Sequence, residues 1–89
     1  MKDINCAAII GGGIMGTDIA AIFANAGWTV DIVEPFRERW TQSEQRVLNS
    51  IEQLGGTPVR NKLVLHTSAG ALHWGKIGIV VECVPENLT

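Results

Sequence analysis

The stretch Ala7-Ala8-Ile9-Ile10-Gly11-Gly12-Gly13-Ile14-Met15-Gly16 constrains this chain more than any other, because it joins an apolar strand to a helix through the spacing GxGxxG. Each glycine of that spacing answers a separate demand. Gly11 lets the strand bend sharply, Gly13 lacks the Cβ that would hold the backbone off an anion, and Gly16 lets the helix pack tightly against the strands. Amides near Gly13, Ile14 and Met15 would then face a pyrophosphate from the positive end of the helix. The spacing alone is a weak signal, since glycine triplets also make flexible loops.

The residues after the glycines strengthen it. Ile19, Ile22, Phe23 and Ala26 recur at helical spacing and predict a helix with one buried stripe, which Gly27 stops. Trp28-Thr29-Val30-Asp31-Ile32-Val33 predicts a second strand, ending at Glu34. A carboxylate about 20 residues beyond such glycines can accept hydrogen bonds from the adenosine ribose of NAD and repel the extra phosphate of NADP. The alternative for Glu34 is an ordinary surface acid before the Pro35 loop. Arg37 and Arg39 keep NADP open, because an arginine just past the acid can pair with a 2′-phosphate. The acid itself argues for NAD.

A second helix is predicted with Trp40, Val47, Leu48, Ile51 and Leu54 on one face, with Thr41-x-x-Glu44 as a capping box at or inside its start and Gly55-Gly56-Thr57-Pro58 as its stop. Leu63-Val64-Leu65-His66 reads as a third strand, Ser68 as the cap of a brief helix through Leu72, and Ile77-Gly78-Ile79-Val80-Val81 as a fourth, fully apolar strand. Apolar strands alternating with helices predict an α/β fold of Rossmann type, a parallel sheet with helices on both faces. Right-handed crossovers then give the strand order 3-2-1-4 and open a ligand crevice between strands 1 and 4 at their carboxyl ends. Pro85 and the apolar residues before it would line that groove, with Glu86 either facing a ribose hydroxyl or standing as a solvated loop acid.

Composition bounds the rest. With 89 residues, 46% of them hydrophobic, the chain can bury one modest core and makes one domain at most. Its formal charge of -2, with acids and bases interspersed, lacks the basic footprint of a nucleic-acid binder. There is no apolar run near the ~20 residues that span a membrane and no signal-peptide pattern, so the expected location is the cytoplasm. Cys6 opens the first strand and Cys83 follows the fourth, too far apart for a disulfide. Both read as small buried apolar residues, with a nucleophilic Cys83 near the cleft as the alternative. No His or Cys spacing suggests a metal site.

GGGIMG at 11 to 16, Glu34 after the second strand, and Val80-Val81-Glu82-Cys83-Val84-Pro85-Glu86-Asn87-Leu88 together resemble the amino-terminal NAD-binding segment of the 3-hydroxyacyl-CoA dehydrogenase family. The last motif is the more specific one, since GxGxxG with an acid is shared by many dehydrogenases. The resemblance implies an oxidoreductase that oxidises the 3-hydroxyl of an acyl-CoA with NAD. It also implies that Gly11, Gly13, Ile14, Met15 and Gly16 hold the pyrophosphate, Glu34 the adenosine ribose, and that Glu86 lies near the nicotinamide ribose. Two departures stand out. Asp18 replaces a small residue two places after the last glycine, where it suits the helix dipole in a first turn but would weaken NAD binding if it faced the cleft. The segment between the second and third strands is also shorter than in typical members.

The family's catalytic histidine, its partner acid and its substrate-contacting side chains lie beyond the fourth strand, so no residue of this chain is assigned to catalysis. His66 and His73 fall away from the crevice and read as polar surface or loop histidines. Residues 1–89 are therefore expected to form a partial dinucleotide-binding domain, inactive by itself, whose parent is the enzyme. A different class of function is a complete small nucleotide-binding or interaction module that self-associates, since Trp28, Trp40 and Trp74 in a four-stranded sheet predict uncovered apolar surface. A third alternative is a segment of a β-hydroxyacid dehydrogenase, which also opens with GxGxMG but more often has a neutral or basic residue at the position of Glu34. Self-association is expected in either of the first two cases.

Overall fold

The computed structural model describes residues 5–58 and 62–83. Its strands are β1 (Cys6–Ile10), β2 (Thr29–Val33), β3 (Leu63–His66) and β4 (Ile79–Glu82), all parallel and ordered β3-β2-β1-β4, the order expected from the sequence. Register aligns Ile10 with Val33 on one side and with Glu82 on the other, so three carboxyl ends finish side by side. The segments that leave β1, β2 and β4 must therefore meet at one edge of the sheet.

Helices α1 (Ile14–Asn25) and α2 (Trp40–Gln53) lie together on one face. There Ile9, Val30, Ile32 and Leu63 meet Ala20 and Ala21 of α1 and Val47, Leu48 and Ile51 of α2. Alternation along the strands sends Cys6, Ala8 and Val33 to the other face, which Leu72 and Ile77 cover from a segment whose one helical turn is a 3-10 turn, Ala69–Ala71. Each of β1 and β2 thus divides its apolar residues between two small cores.

Several local expectations change. Helix α1 begins at Ile14, before Gly16, and its buried residues are Gly16, Thr17, Ala20 and Ala21. Ile22 is 59% exposed, and Ala26 is the exposed C-cap. The helix approaches the sheet on its small residues, and the larger Ile19 and Phe23 only flank the core. Gly27 does stop the helix, with φ +93, and Trp28 precedes β2, its ring 4.9 Å from that of Phe23.

Helix α2 is fed by a 3-10 turn, Arg37–Arg39, so Thr41 lies inside the helix. Arg39 occupies the N-cap position without a side-chain cap bond, and the expected capping box is not the device that starts the helix. Leu54 is the C-cap and is 52% exposed, outside the buried stripe. Ser68 stands at the N-cap of its turn without a side-chain bond. Strand β4 starts two residues later and ends one later than expected, leaving Ile77 buried ahead of it, and Ile79 and Val80 are 40% and 45% exposed on this edge strand, whose partner among the described residues is β1.

Candidate functional site

The segments leaving β1, β2 and β4 enclose a cleft of about 840 Å³. Gly11, Gly12, Gly13, Ile14 and Met15 form one wall, Val33 to Phe36 another, and Arg39, Ser43 and Arg46 of the α2 side close it, with Cys83 at the β4 edge. The crevice expected between strands 1 and 4 thus extends across β2 as well.

Within the glycine turn each residue has a distinct environment. Gly11 takes φ +115, a conformation that L side chains rarely adopt, while its N–H donates to the Val33 carbonyl at 2.9 Å. Gly12 is buried, and a Cβ there would come within 3.0 Å of Glu34 and 3.1 Å of the Ser43 hydroxyl. Gly13 is exposed, and a Cβ built on it would meet nothing within 4 Å. Gly16 faces the turn so closely that a Cβ would overlap the Gly11 carbonyl oxygen. The close approach expected of Gly16 is therefore made against the turn itself, as well as against Ile9 of β1.

Gly13 is the N-cap of α1 and no side chain caps the helix. The Thr17 hydroxyl is turned back, donating to the carbonyls of Gly13 and Ile14 at 2.9 and 3.0 Å. The amides of Ile14 and Met15 thus present the positive end of the helix to the cleft, as an anion site requires. Asp18 does not intrude. Because α1 starts at Ile14, Asp18 lies in the second turn rather than the first, and its Oδ1 accepts a hydrogen bond from Ser50 of α2 at 3.3 Å.

Glu34 is only 4% exposed, although it leaves the sheet at a loop. Its N–H donates to the His66 carbonyl at 2.8 Å, its carbonyl accepts from Trp40 Nε1 at 2.9 Å, and its Oε2 accepts the Phe36 N–H at 3.0 Å. Oε1 has no partner among the described residues and lies on the Gly12 side. A carboxylate so fixed, with one oxygen reached by solvent rather than by a protein donor, can accept a hydrogen bond from a hydroxyl-bearing ligand. The arginines beyond it are engaged with rings: Arg37 lies 5.0 Å from the Trp40 centroid and Arg39 lies 4.8 Å from that of Phe36.

Of the residues expected at the site, Gly11, Gly13, Ile14, Met15 and Glu34 share the cleft lining, while Gly16 shapes the turn from behind. Glu86 and Pro85 lie outside the described residues. Cys6 and Cys83 form no disulfide, and burial pushes the Cys83 thiol above its ordinary range. His73 is exposed, whereas His66 is half-buried on the sheet face opposite the helices, its Nε2 2.9 Å from Asp31 Oδ1. Among the described residues no group of three or more His, Cys, Asp or Glu could hold a metal.

Gly12 and Ser43 escape a reading by motif. Ser43 Oγ donates to the Gly12 carbonyl at 2.8 Å and is itself 3% exposed. The available signal was its helical spacing, since Ser43, Val47 and Ile51 occupy one stripe of α2, but a serine in that stripe does not register as apolar.

Three comparisons bear on this site. The family model described as "3-hydroxyacyl-CoA dehydrogenase, NAD binding domain" matches residues 6–89. A search of curated proteins by sequence finds no significant match. Among solved structures, the chain is similar to FadB2 of M. tuberculosis, at 28% identity and a TM-score of 0.74 over 97% of this chain and 33% of that one. It is similar to the (S)-3-hydroxybutyryl-CoA dehydrogenase PaaH1 of Ralstonia eutropha, at 26% identity and a TM-score of 0.77 over 96% of this chain and 32% of that one. The 3-hydroxybutyryl-CoA dehydrogenase of Escherichia coli K12 matches at 27% identity and a TM-score of 0.71, over 93% of this chain and 19% of that one. The chain thus spans about a third of the length of the first two and about a fifth of the third.

Proposed function

This chain belongs to the 3-hydroxyacyl-CoA dehydrogenase NAD-binding domain family, with NAD as its cofactor, and from that membership we propose which of its residues hold the cofactor and what reaction they serve. Gly11, Gly13, Ile14, Met15 and Gly16 form the pyrophosphate cradle, Glu34 accepts the adenosine ribose hydroxyls, and Glu86 lies near the nicotinamide ribose. The observation that carries this reading is the meeting, across the single residue Gly12, of a helix N-terminus without a side-chain cap and a largely buried carboxylate whose Oε1 has no described protein donor and is open to solvent. The first is complementary to a phosphate and the second to a diol, and a dinucleotide presents both in series.

The reaction served is oxidation of the 3-hydroxyl of an acyl-CoA, the substrate class named for two of the similar structures. NAD, when bound, supplies the hydride acceptor. The chain's own residues bind and orient: the turn fixes the pyrophosphate, Glu34 fixes the adenosine end, and Ile14, Met15 and Cys83 offer apolar surface along the cleft. The hydroxyl proton needs a base, and among the described residues lining the cleft there is no histidine and Glu34 is the one carboxylate, committed to the adenosine end. We read residues 1–89 as a partial dinucleotide-binding domain, and the described cleft residues as its cofactor-binding part.

The two unbridged thiols suit a reducing compartment, the cytoplasm, and no helix among the described residues is long and apolar enough to cross a membrane. Exposed Ile79 and Val80 on edge strand β4 favour self-association. Isothermal titration of the purified chain with NAD and NADP tests the cofactor assignment. Binding of NAD with a weaker response to NADP is expected. No heat with NAD at concentrations on the order of 1 mM, the weak end of measurable affinity, would overturn it.

A further inference from the structure

We propose that Ser43, thirty-one positions from the glycine turn, is a positioning residue that aims the Gly13 amide at the pyrophosphate. The proposal rests on the cofactor assignment made above and adds a residue to it. The Gly12–Gly13 peptide is trans, so its carbonyl and its N–H point in opposite directions across one rigid plane. Ser43 Oγ holds that carbonyl at 2.8 Å on the α2 side. Fixing the carbonyl fixes the N–H, which must point away from Ser43.

Among the described residues, the other hydrogen bonds of the turn hold the Gly11 N–H and the Gly13 carbonyl, not the Gly12 carbonyl. Gly12 has no side chain to wedge the plane, and the Cβ position it leaves vacant is bounded by Glu34 on one side and Ser43 on the other. A peptide between two glycines is the most freely rotating kind of link, and here it sits where an anion site needs its amide fixed in advance. The Ser43 hydroxyl supplies that fixity from a buried position on α2, which is itself anchored by Val47 and Ile51 in the core. The clasp also puts the phosphate end and the ribose end in one framework, because the same Gly12 that Ser43 holds lies against the Glu34 carboxylate. The role assigned to Ser43 is exerted through Gly12, whose carbonyl it holds.

The test is Ser43→Ala in the full chain, titrated with NAD, ADP and adenosine, with circular dichroism to check the fold. Alanine fits the space and removes only the donor. NAD and ADP should each bind about fivefold more weakly, the loss that goes with one ordinary hydrogen bond, while adenosine, which uses Glu34 but carries no phosphate, should change by less than about twofold. Equal losses for ADP and adenosine would reduce Ser43 to a general structural support and overturn the proposal, as would an unchanged ADP affinity. If the parent chain bound none of the three ligands, the cofactor assignment would fall by itself. The clasp is read separately in the unliganded protein, where Ser43→Ala should move the Gly13 amide resonance and leave that of Gly55 in place. An unmoved Gly13 amide would overturn it.

Discussion

Gly16 packs against the carbonyl of Gly11 so closely that a Cβ on Gly16 would overlap the oxygen, whereas a Cβ on Gly13, three residues earlier, would meet open space. The two glycines of one motif therefore differ: packing constrains Gly16, while only the proposed cofactor contact would constrain Gly13. Gly16→Ala must push α1 away from the turn and should cost about 2–3 kcal/mol, lowering the melting temperature by roughly 10–20 °C. Gly13→Ala should leave melting within a few degrees, since its φ of -79 is open to any residue, yet weaken NAD binding by crowding the cradle. Thermal melts followed by NAD titration separate the two, and equal melting points would contradict the assignment.

Glu34 carries a structural load through its hydrogen bonds and, in the proposed site, a binding one. Glu34→Gln keeps an oxygen for the Phe36 N–H but loses the charge, so the fold should stand while NAD affinity drops about tenfold, in line with a hydrogen bond to a charged group. The same variant should narrow the preference for NAD over NADP, because the repulsion of a 2′-phosphate goes with the charge. Arg37 and Arg39, each lying over a ring, are not displayed as a ready phosphate clamp, so the narrowing should stop short of a reversal. Retention of full NAD affinity would remove Glu34 from the site.

The sheet order and the glycine turn were legible in the sequence because each rests on local rules: apolar runs bounded by turns, and crossovers of one hand. The buried face of α1 was not. Periodicity selects Ile22 for its hydrophobicity, but Gly16 draws the helix so near the turn that only Ala20 and Ala21 fit against the sheet, and Ile22 is turned outward. The start of α2 was hidden for a similar reason, since the 3-10 turn at Arg37–Arg39 and the Trp40–Glu34 hydrogen bond set it in place of a capping box. Ser43 and His66 show the limit for polar residues, whose partners Gly12 and Asp31 are distant in sequence and become neighbours only once the strands and helices have assembled.

Asp31 and His66 face each other from β2 and β3 on the side of the sheet away from α1 and α2, and Cys6 Sγ lies 3.5 Å from the other Asp31 oxygen. Both partners of the pair are partly buried, at 19% and 17% side-chain exposure, so the hydrogen bond between them is shielded from water. A double-mutant cycle with Asp31→Asn and His66→Gln should give a coupling energy of about 1 kcal/mol at neutral pH. NAD affinity should be unchanged in all three variants, because neither side chain reaches the cleft. A zero coupling, or a parallel loss of NAD binding, would contradict this placement.

Cys83 lines the cleft at the β4 edge, and its reactivity decides between an apolar wall and a nucleophile. Burial raises its thiol pKa, and the sign is direct: the neutral thiol persists to higher pH than in an exposed cysteine, so less of the reactive thiolate is present near neutrality. Alkylation of Cys83 by iodoacetamide, monitored by peptide mass spectrometry, should be slower at about pH 8, near the ordinary thiol pKa, than alkylation of an unstructured cysteine peptide, and should climb as pH rises further. Saturating NAD should slow it again, since the proposed cofactor path runs along the cleft that Cys83 lines. Alkylation faster than that of the peptide would mark an activated thiol and reopen the nucleophilic reading.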